Sequence, residues 1–216
     1  MSNDNRLERL WKVQATVNKL VLDGKRDPDE VSRSLQVIID RKPTTSVEPI
    51  SKFVLFLDLG TITVPANYNH ATWLTKFKKK NHKKFFYYND SINDQNFARP
   101  STVLAPSRQL RVKVFKQIVT GDTTSEERMA FLKSQNCLFT GAQGASLVYE
   151  QKRDHLTKGY WYCSLDEKDN LWEDSDGYHR VPYVNANSDG YFDFYLGNFE
   201  YPWNAVHCLL CFCDEN

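Results

Sequence analysis

Two copies of one turn signal constrain this chain more than anything else in it. Ser-Asp-Gly-Tyr occurs at Ser175–Tyr178 and again at Ser188–Tyr191. Both copies lie inside Gly159–Cys213, between runs rich in Tyr, Trp, Phe and Val. Asp-Gly between alternating apolar runs predicts a β-hairpin, because type I′ turns need positive φ at both central positions. The stretch therefore reads as an antiparallel β-meander. Its strands are predicted near Gly159–Leu165, Leu171–Trp172, Tyr178–Val184, Tyr191–Leu196 and Val206–Cys213. The chain holds 13 Phe, 11 Tyr and 5 Trp against 2 Met, a balance that suits a sheet core better than a helix bundle.

The other end carries a helical period. Leu7, Leu10, Trp11, Val17, Leu20 and Val21 fall on one side of a helix over residues 6–22. Asp27, Pro28 and Glu30 stand at N-cap, N1 and N3 of a second helix that runs to about Asp40 and places Val31, Leu35, Ile38 and Ile39 on one side. Residues 1–41 thus read as an αα-hairpin, with a surface for a protein partner. Residues 42–52, with two prolines and no apolar period, read as a linker. Residues 53–216 form the body, with the meander from about residue 159. The fold class predicted is α+β.

Within the body, Phe53–Leu59, with Gly60 after it, predicts a buried strand followed by Ile62–Val64 and a break at Pro65, and Asn69–Lys80 predicts a helix. Phe85–Tyr88 is a short aromatic strand, and residues 89–108 are a long loop rich in Asn, Asp, Ser and Pro. Leu110–Val119 alternates: Leu110, Val112, Val114 and Lys116 share one face, Arg111, Lys113, Phe115 and Gln117 the other. A helix follows, capped by Thr124 or Ser125 and ending near Ser134. Gly141–Gly144 is expected as a tight turn into a helix over Ala145–Leu156.

Several function classes fall away. No run of 18 apolar residues occurs, and the first residues lack an apolar signal core, so neither a membrane span nor a signal peptide is predicted. Five cysteines is an odd count, which favours reduced thiols and a cytoplasmic location. On a strand, Cys211 and Cys213 point to one face and Cys208 to the other, while Cys137 and Cys163 are isolated; no metal site is predicted. Gly141–Gly144 lacks both the P-loop Lys-Ser/Thr and the dinucleotide glycine spacing, so no cofactor is predicted either.

Charge is divided. Residues 151–216 hold 5 Lys+Arg and 12 Asp+Glu, a net of −7, and residues 1–150 hold 23 and 15, a net of +8. The halves can attract each other within one fold, or they can be two binding faces. The sharpest feature is basic: Lys76, Lys78, Lys79, Lys80, Lys83 and Lys84, followed by Phe86 and Tyr88. Lysines neutralise phosphates and aromatic faces stack unpaired bases, so this pattern fits a non-enzymatic protein that binds single-stranded nucleic acid. It also fits a helix C-terminus whose lysines complement the dipole, with the aromatics as strand core. A second class is a small hydrolase acting on a glycan or a phosphorylated small molecule through an acidic, aromatic cleft. Its acids would come from Asp166, Glu167, Asp169, Glu173, Asp189, Asp193 and Glu200, and their spacing selects no pair.

Overall fold

The computed structural model describes residue 12 and residues 15–33 and 51–215. The chain divides into two units, residues 1–50 and 51–216. In the first, residues 15–22 and 28–33 are helical. Asp27 Oδ1 accepts from the Asp29 amide at 2.8 Å, as an N-cap side chain does. The rest of the expected 1–41 hairpin, its surface for a protein partner and most of the 42–52 linker lie outside the described residues.

The body combines helices with one mixed sheet of eight strands. In chain order its elements are β1 (Phe53–Thr63), α1 (Trp73–Asn81), β2 (Tyr87–Tyr88), β3 (Gln109–Gln117), α2 (Ser125–Ser134), α3 (Gly141–Lys152), β4 (Tyr160–Cys163), β5 (Trp172–Glu173), β6 (His179–Ala186), β7 (Phe192–Asn198) and β8 (His207–Asp214). The strands lie in the order β1-β3-β8-β4-β6-β7-β2, and β5 pairs with β6. From β4 to β7 the pairing is antiparallel. The last strand departs from the expected meander. Instead of following β7 it returns to the centre, antiparallel to β3 and parallel to β4. Its sequence explains why: Cys208-Leu-Leu-Cys-Phe212 is apolar at every position, as a strand covered on both faces must be.

The two hairpin turns also differ from expectation. Their loops are five residues long, 174–178 and 187–191. Only Gly177 and Gly190 take positive φ, at +81° and +95°, so neither turn is type I′. Asp174 Oδ1 accepts from the amides of Asp176 and Tyr178, and Asp189 Oδ1 from that of Tyr191. The aspartates act by bonding their own loop, not by adopting a left-handed backbone.

Strand parity separates two cores. Leu110, Val112, Val114, Tyr162, Val184, Phe194, Leu210 and Phe212 face α1 and α3. Phe115, Cys163, Val181, Tyr183, Leu209 and Cys211 face the opposite way, toward Met129 and Leu132 of α2 and toward Phe199 and Trp203. The sheet is therefore covered on both sides.

Helix α3 starts at Gly141, four residues before the expected start, so Gly141–Gly144 is helix and not a lead-in turn. A Cβ at Gly144 would stand 1.9 Å from Thr140 Oγ1 and 2.8 Å from the tip of the Phe212 ring. The glycine is there for a close approach of helix to sheet. The strand expected over Phe53–Leu59 runs on through Gly60 to Thr63, and it is not buried: it lies at the edge of the sheet with Val54 and Leu55 exposed. Register shifts between Leu55 and Leu57 and between Asp58 and Gly60 mark bulges, and Gly60 takes φ +67° so that the strand can continue to Thr63. Helix α2 begins as expected. Thr124 caps it, its hydroxyl accepting from the Glu127 amide at 3.2 Å while Glu127 Oε2 accepts from the Thr124 amide at 3.0 Å.

Arg128 of α2 is wholly buried. Nε donates to Thr123 Oγ1 at 2.8 Å, Nη1 to the His207 carbonyl at 2.6 Å, and Nη2 to Gln117 Oε1 at 3.1 Å and the Asn204 carbonyl at 3.0 Å. The rings of Phe53 and Trp203 lie 5.7 and 5.8 Å from its guanidinium carbon. Lysine has three donors on one atom and cannot reach four acceptors spread around a plane. Each acceptor left bare in a buried site costs about 1–3 kcal/mol. Arg128→Lys is therefore expected to lower the unfolding free energy by about 3 kcal/mol, read as a fall in the urea midpoint at unchanged slope. A loss under about 1 kcal/mol would mean that water fills the vacated positions.

The thiols are not all reduced. Cys137 and Cys211 form a disulfide across 74 residues, with Cα atoms 5.3 Å apart, while Cys163, Cys208 and Cys213 are free. The expectation failed because Cys137 is carried to β8 by a bridge between Leu138 and Phe212, a pairing that spacing along the chain does not reveal.

Candidate nucleic-acid interface

The lysines occupy one helix and the turn after it. Lys76, Lys78, Lys79 and Lys80 lie on α1, and Lys83 and Lys84 on a 3-10 turn, His82–Lys84. The period of α1 buries Trp73, Leu74 and Phe77 and leaves the lysines outward. Three of the six are engaged: Lys78 pairs with Asp90 at 2.9 Å, Lys80 with Glu150 at 3.0 Å, and Lys84 Nζ donates to Asn81 Oδ1 at 3.3 Å. Among the described residues, Lys76, Lys79 and Lys83 carry no ion pair, and all three are exposed. Two depressions flank the helix. One, of about 260 Å³, is lined by Lys76 and Lys80 with Trp73 and Glu150. The other, of about 390 Å³, is lined by Lys78, Lys79 and His82 with Leu74 and Ile92.

The aromatics divide differently from the sequence reading. Phe86 is 77% exposed, but Tyr88 is buried. Its ring packs on Phe77, Phe85 and Phe194, and its hydroxyl donates to the Ile92 carbonyl at 3.3 Å. Tyr88 is thus core, and the ring that β2 turns to solvent is Tyr87, at 45% exposure. The reason is the short strand: β2 pairs parallel to β7, setting Tyr88 beside buried Phe194 and Tyr87 beside Asp193.

Tyr87 begins a row of rings that no single segment contains. Its centroid is 5.0 Å from that of Tyr195 on β7. Tyr195 lies 5.8 Å from Tyr183 on β6, and Tyr183 stacks on Trp161 of β4 at 5.0 Å and 9°. Four adjacent strands, β2, β7, β6 and β4, each contribute one ring. At the inner end His207 stands edge-on to Trp161 at 4.6 Å and to Trp203 at 5.1 Å. At the outer end Phe86 and Tyr191 form an exposed pair, centroids 6.0 Å apart. Polar groups sit beside the row. Asp193 Oδ2 accepts from Asn187 Nδ2 at 2.9 Å and Asn185 Nδ2 at 3.2 Å, while Asp193 Oδ1 is buried without a partner. Alternation in β4 and β7 marks each of these rings as sharing a face, but the register between strands is what aligns them.

Of the acids, Glu173 and Glu200 meet at His179, 3.8 and 2.7 Å from its two ring nitrogens. Asp166 is buried, Glu167 pairs with Lys133, and Glu200 with His179 and Lys168. None of the cavities described is lined by two of the seven candidate acids. A depression of about 280 Å³ holds Asp174 and Arg180, bound to each other, with Trp172 and Tyr195. As for metals, the three sulfurs of Cys137, Cys211 and Cys213 lie within 4.8 Å of one another, with two of them joined in the disulfide.

Two shifted groups lie away from these cavities. Burial pushes Asp166 up to about 6, against hydrogen bonds from Ser101 and the Glu167 amide that pull it down. Burial and the nearby Arg128 guanidinium push His207 down to about 4. Neutral His207 donates from Nδ1 to Asn204 Oδ1 at 2.7 Å. The folded pKa of Asp166 lies above its unfolded value, so its contribution to stability is present below about pH 4 and lost as pH rises through about 6. That of His207 lies below, so its contribution is present above about pH 6.5 and lost as pH falls through about 4. The two oppose each other and flatten the profile between. In Asp166→Asn the unfolding free energy is expected to rise by about 2 kcal/mol across this window, and in His207→Gln to fall by about 2 kcal/mol, solvent screening included. Urea titrations at four pH values measure both; flat profiles in both variants would show that neither group is shifted.

Comparison of the chain with protein-family models, with curated proteins and with solved structures returns no match.

Proposed function

We propose that the body is a non-catalytic binding protein for single-stranded nucleic acid. The observation that carries this reading is the aromatic row on four adjacent strands, open to solvent at Tyr87 and Tyr195. Bases offer π-faces whatever their sequence, and the exposed Tyr87 and Tyr195, 5.0 Å apart, give unpaired bases surfaces to rest on, backed by buried Tyr183 and its stacked partner Trp161. The backbone needs cations, and among the described residues Lys76, Lys79, Lys83 and Lys84 of the basic stretch carry no ion pair; they lie on the α1 side of the sheet, so a strand reaches them from the row by passing round the β2 edge. Tyr88 has no part in this reading; Tyr87 takes its place.

The test is binding of labelled single-stranded DNA and RNA at several salt concentrations. If about four phosphates are contacted, log affinity falls with log salt at a slope of roughly −3. Lys76→Ala/Lys79→Ala/Lys83→Ala is expected to bring that slope to about −1. Tyr87→Ala/Tyr195→Ala is expected to weaken binding by roughly 5- to 150-fold per lost stacking contact while leaving the slope unchanged. Undetectable binding, or binding indifferent to salt, would sink the proposal.

A further inference from the structure

A third sulfur stands beside the disulfide. Cys213 Sγ is 3.7 Å from Cys211 Sγ, and both lie on the same face of β8. Cys211 is fully buried and Cys137 nearly so, whereas Cys213 is half-buried at the end of the strand and so offers an entry from solvent. The backbone register favours no single partner for Cys137. Leu138 faces Phe212 in an antiparallel bridge, so one further step sets Cys137 opposite Cys213, yet its sulfur is bonded to Cys211.

We propose that Cys137, Cys211 and Cys213 form a thiol–disulfide exchange site, with Cys137 as the shared partner and Cys213 as the exchanging thiol. Cys213 gives its proton to solvent, and its sulfur attacks Cys137 Sγ. The new Cys137–Cys213 bond forms as the Cys137–Cys211 bond breaks, and the Cys211 sulfur leaves with the electron pair and takes up a proton. One thiol and one disulfide are present before and after, so neither oxidant nor reductant is consumed. Strand β3 supports the step. Its register sets Lys113 beside Cys211, a cation that favours a thiolate as leaving group and as attacker, while Arg111 beside Cys213 is paired with Asp58. Burial works against ionisation of Cys213, and Lys113 partly offsets it. Cys163 and Cys208 are different: burial pushes both up to about 12, and neither is in the sulfur cluster, so they serve as inert internal references.

The experiment is differential labelling of the full chain, purified without added reductant. Free thiols are blocked with one maleimide at acid quench, the disulfide is reduced, and the released thiols take an isotopically distinct maleimide. No Lys or Arg follows Arg180, so Cys208, Cys211 and Cys213 share one tryptic peptide and are resolved by fragmentation. In the wild type Cys137 is expected in the second label throughout, with its partner divided between Cys211, the larger share, and Cys213. Cys213→Ser is expected to lose the second isomer and keep the first. In Cys211→Ala the fraction of Cys137 bonded to Cys213 is expected to rise several-fold and become predominant. Free Cys137 in that variant, a single Cys137–Cys211 isomer in the wild type, or Cys137, Cys211 and Cys213 all free in the wild type would each overturn the proposal. Should Cys211→Ala fail to fold, the wild-type isomer ratio decides alone.

Discussion

A single buried guanidinium organises the α2 side of the body. Arg128 carries a full charge into the interior, and among the described residues no carboxylate pairs with it. Its charge is spread instead over a hydroxyl, a side-chain amide and two main-chain carbonyls. Those acceptors come from the end of β3, the loop before α2 and the loop before β8, so one side chain fixes three segments against one helix. The same loop carries Asn204, which accepts from His207 Nδ1, and Trp203, whose indole Nε1 donates to Ser125 Oγ at 2.7 Å. The inner end of the aromatic row is thus set by α2, an element that contributes no ring to it.

How the fold was legible depends on the range of the contact. The capping box at Thr124 and Glu127 is a matter of three residues, and the sequence narrows its N-cap to Thr124 or Ser125. The face of β3 that carries Leu110, Val112 and Val114 is equally plain from alternation. The place of β8 is not. Its uniform apolarity marks a central strand, but whether it joins β7 or returns between β3 and β4 turns on which partners lack a neighbour, a property of the whole sheet. Gly144 misled for a related reason: a glycine needed for close packing against Phe212 looks, in one dimension, like a glycine needed for a turn.

The candidate site shows the same division. Six lysines close together in sequence are also close in space, because one helix and one turn carry them. The two aromatics of the same segment part company. Phe86 is exposed, whereas Tyr88 points into the core beside Phe194. The rings that do line up, Tyr87, Tyr195, Tyr183 and Trp161, span 109 positions of chain and share only a sheet face. Sequence adjacency finds charge clusters on helices well and finds cross-strand platforms poorly, since the latter are written in register.

The two bulges in β1 have a consequence at the boundary of the molecule. This is the outermost strand, eleven residues long, and Val54 and Leu55 on it are exposed. A straight edge of that length would present a ladder of free amides and carbonyls to any extended chain nearby. Here the register is unbroken over Phe53–Leu55, Leu57–Asp58 and Gly60–Thr63, so it never runs beyond four residues. The opposite edge, β2, has two residues. A sheet with one interrupted rim and one vestigial rim gives a second copy little to zip onto, and a body this rich in aromatics and β-structure is thereby shielded from growing into a fibril strand by strand.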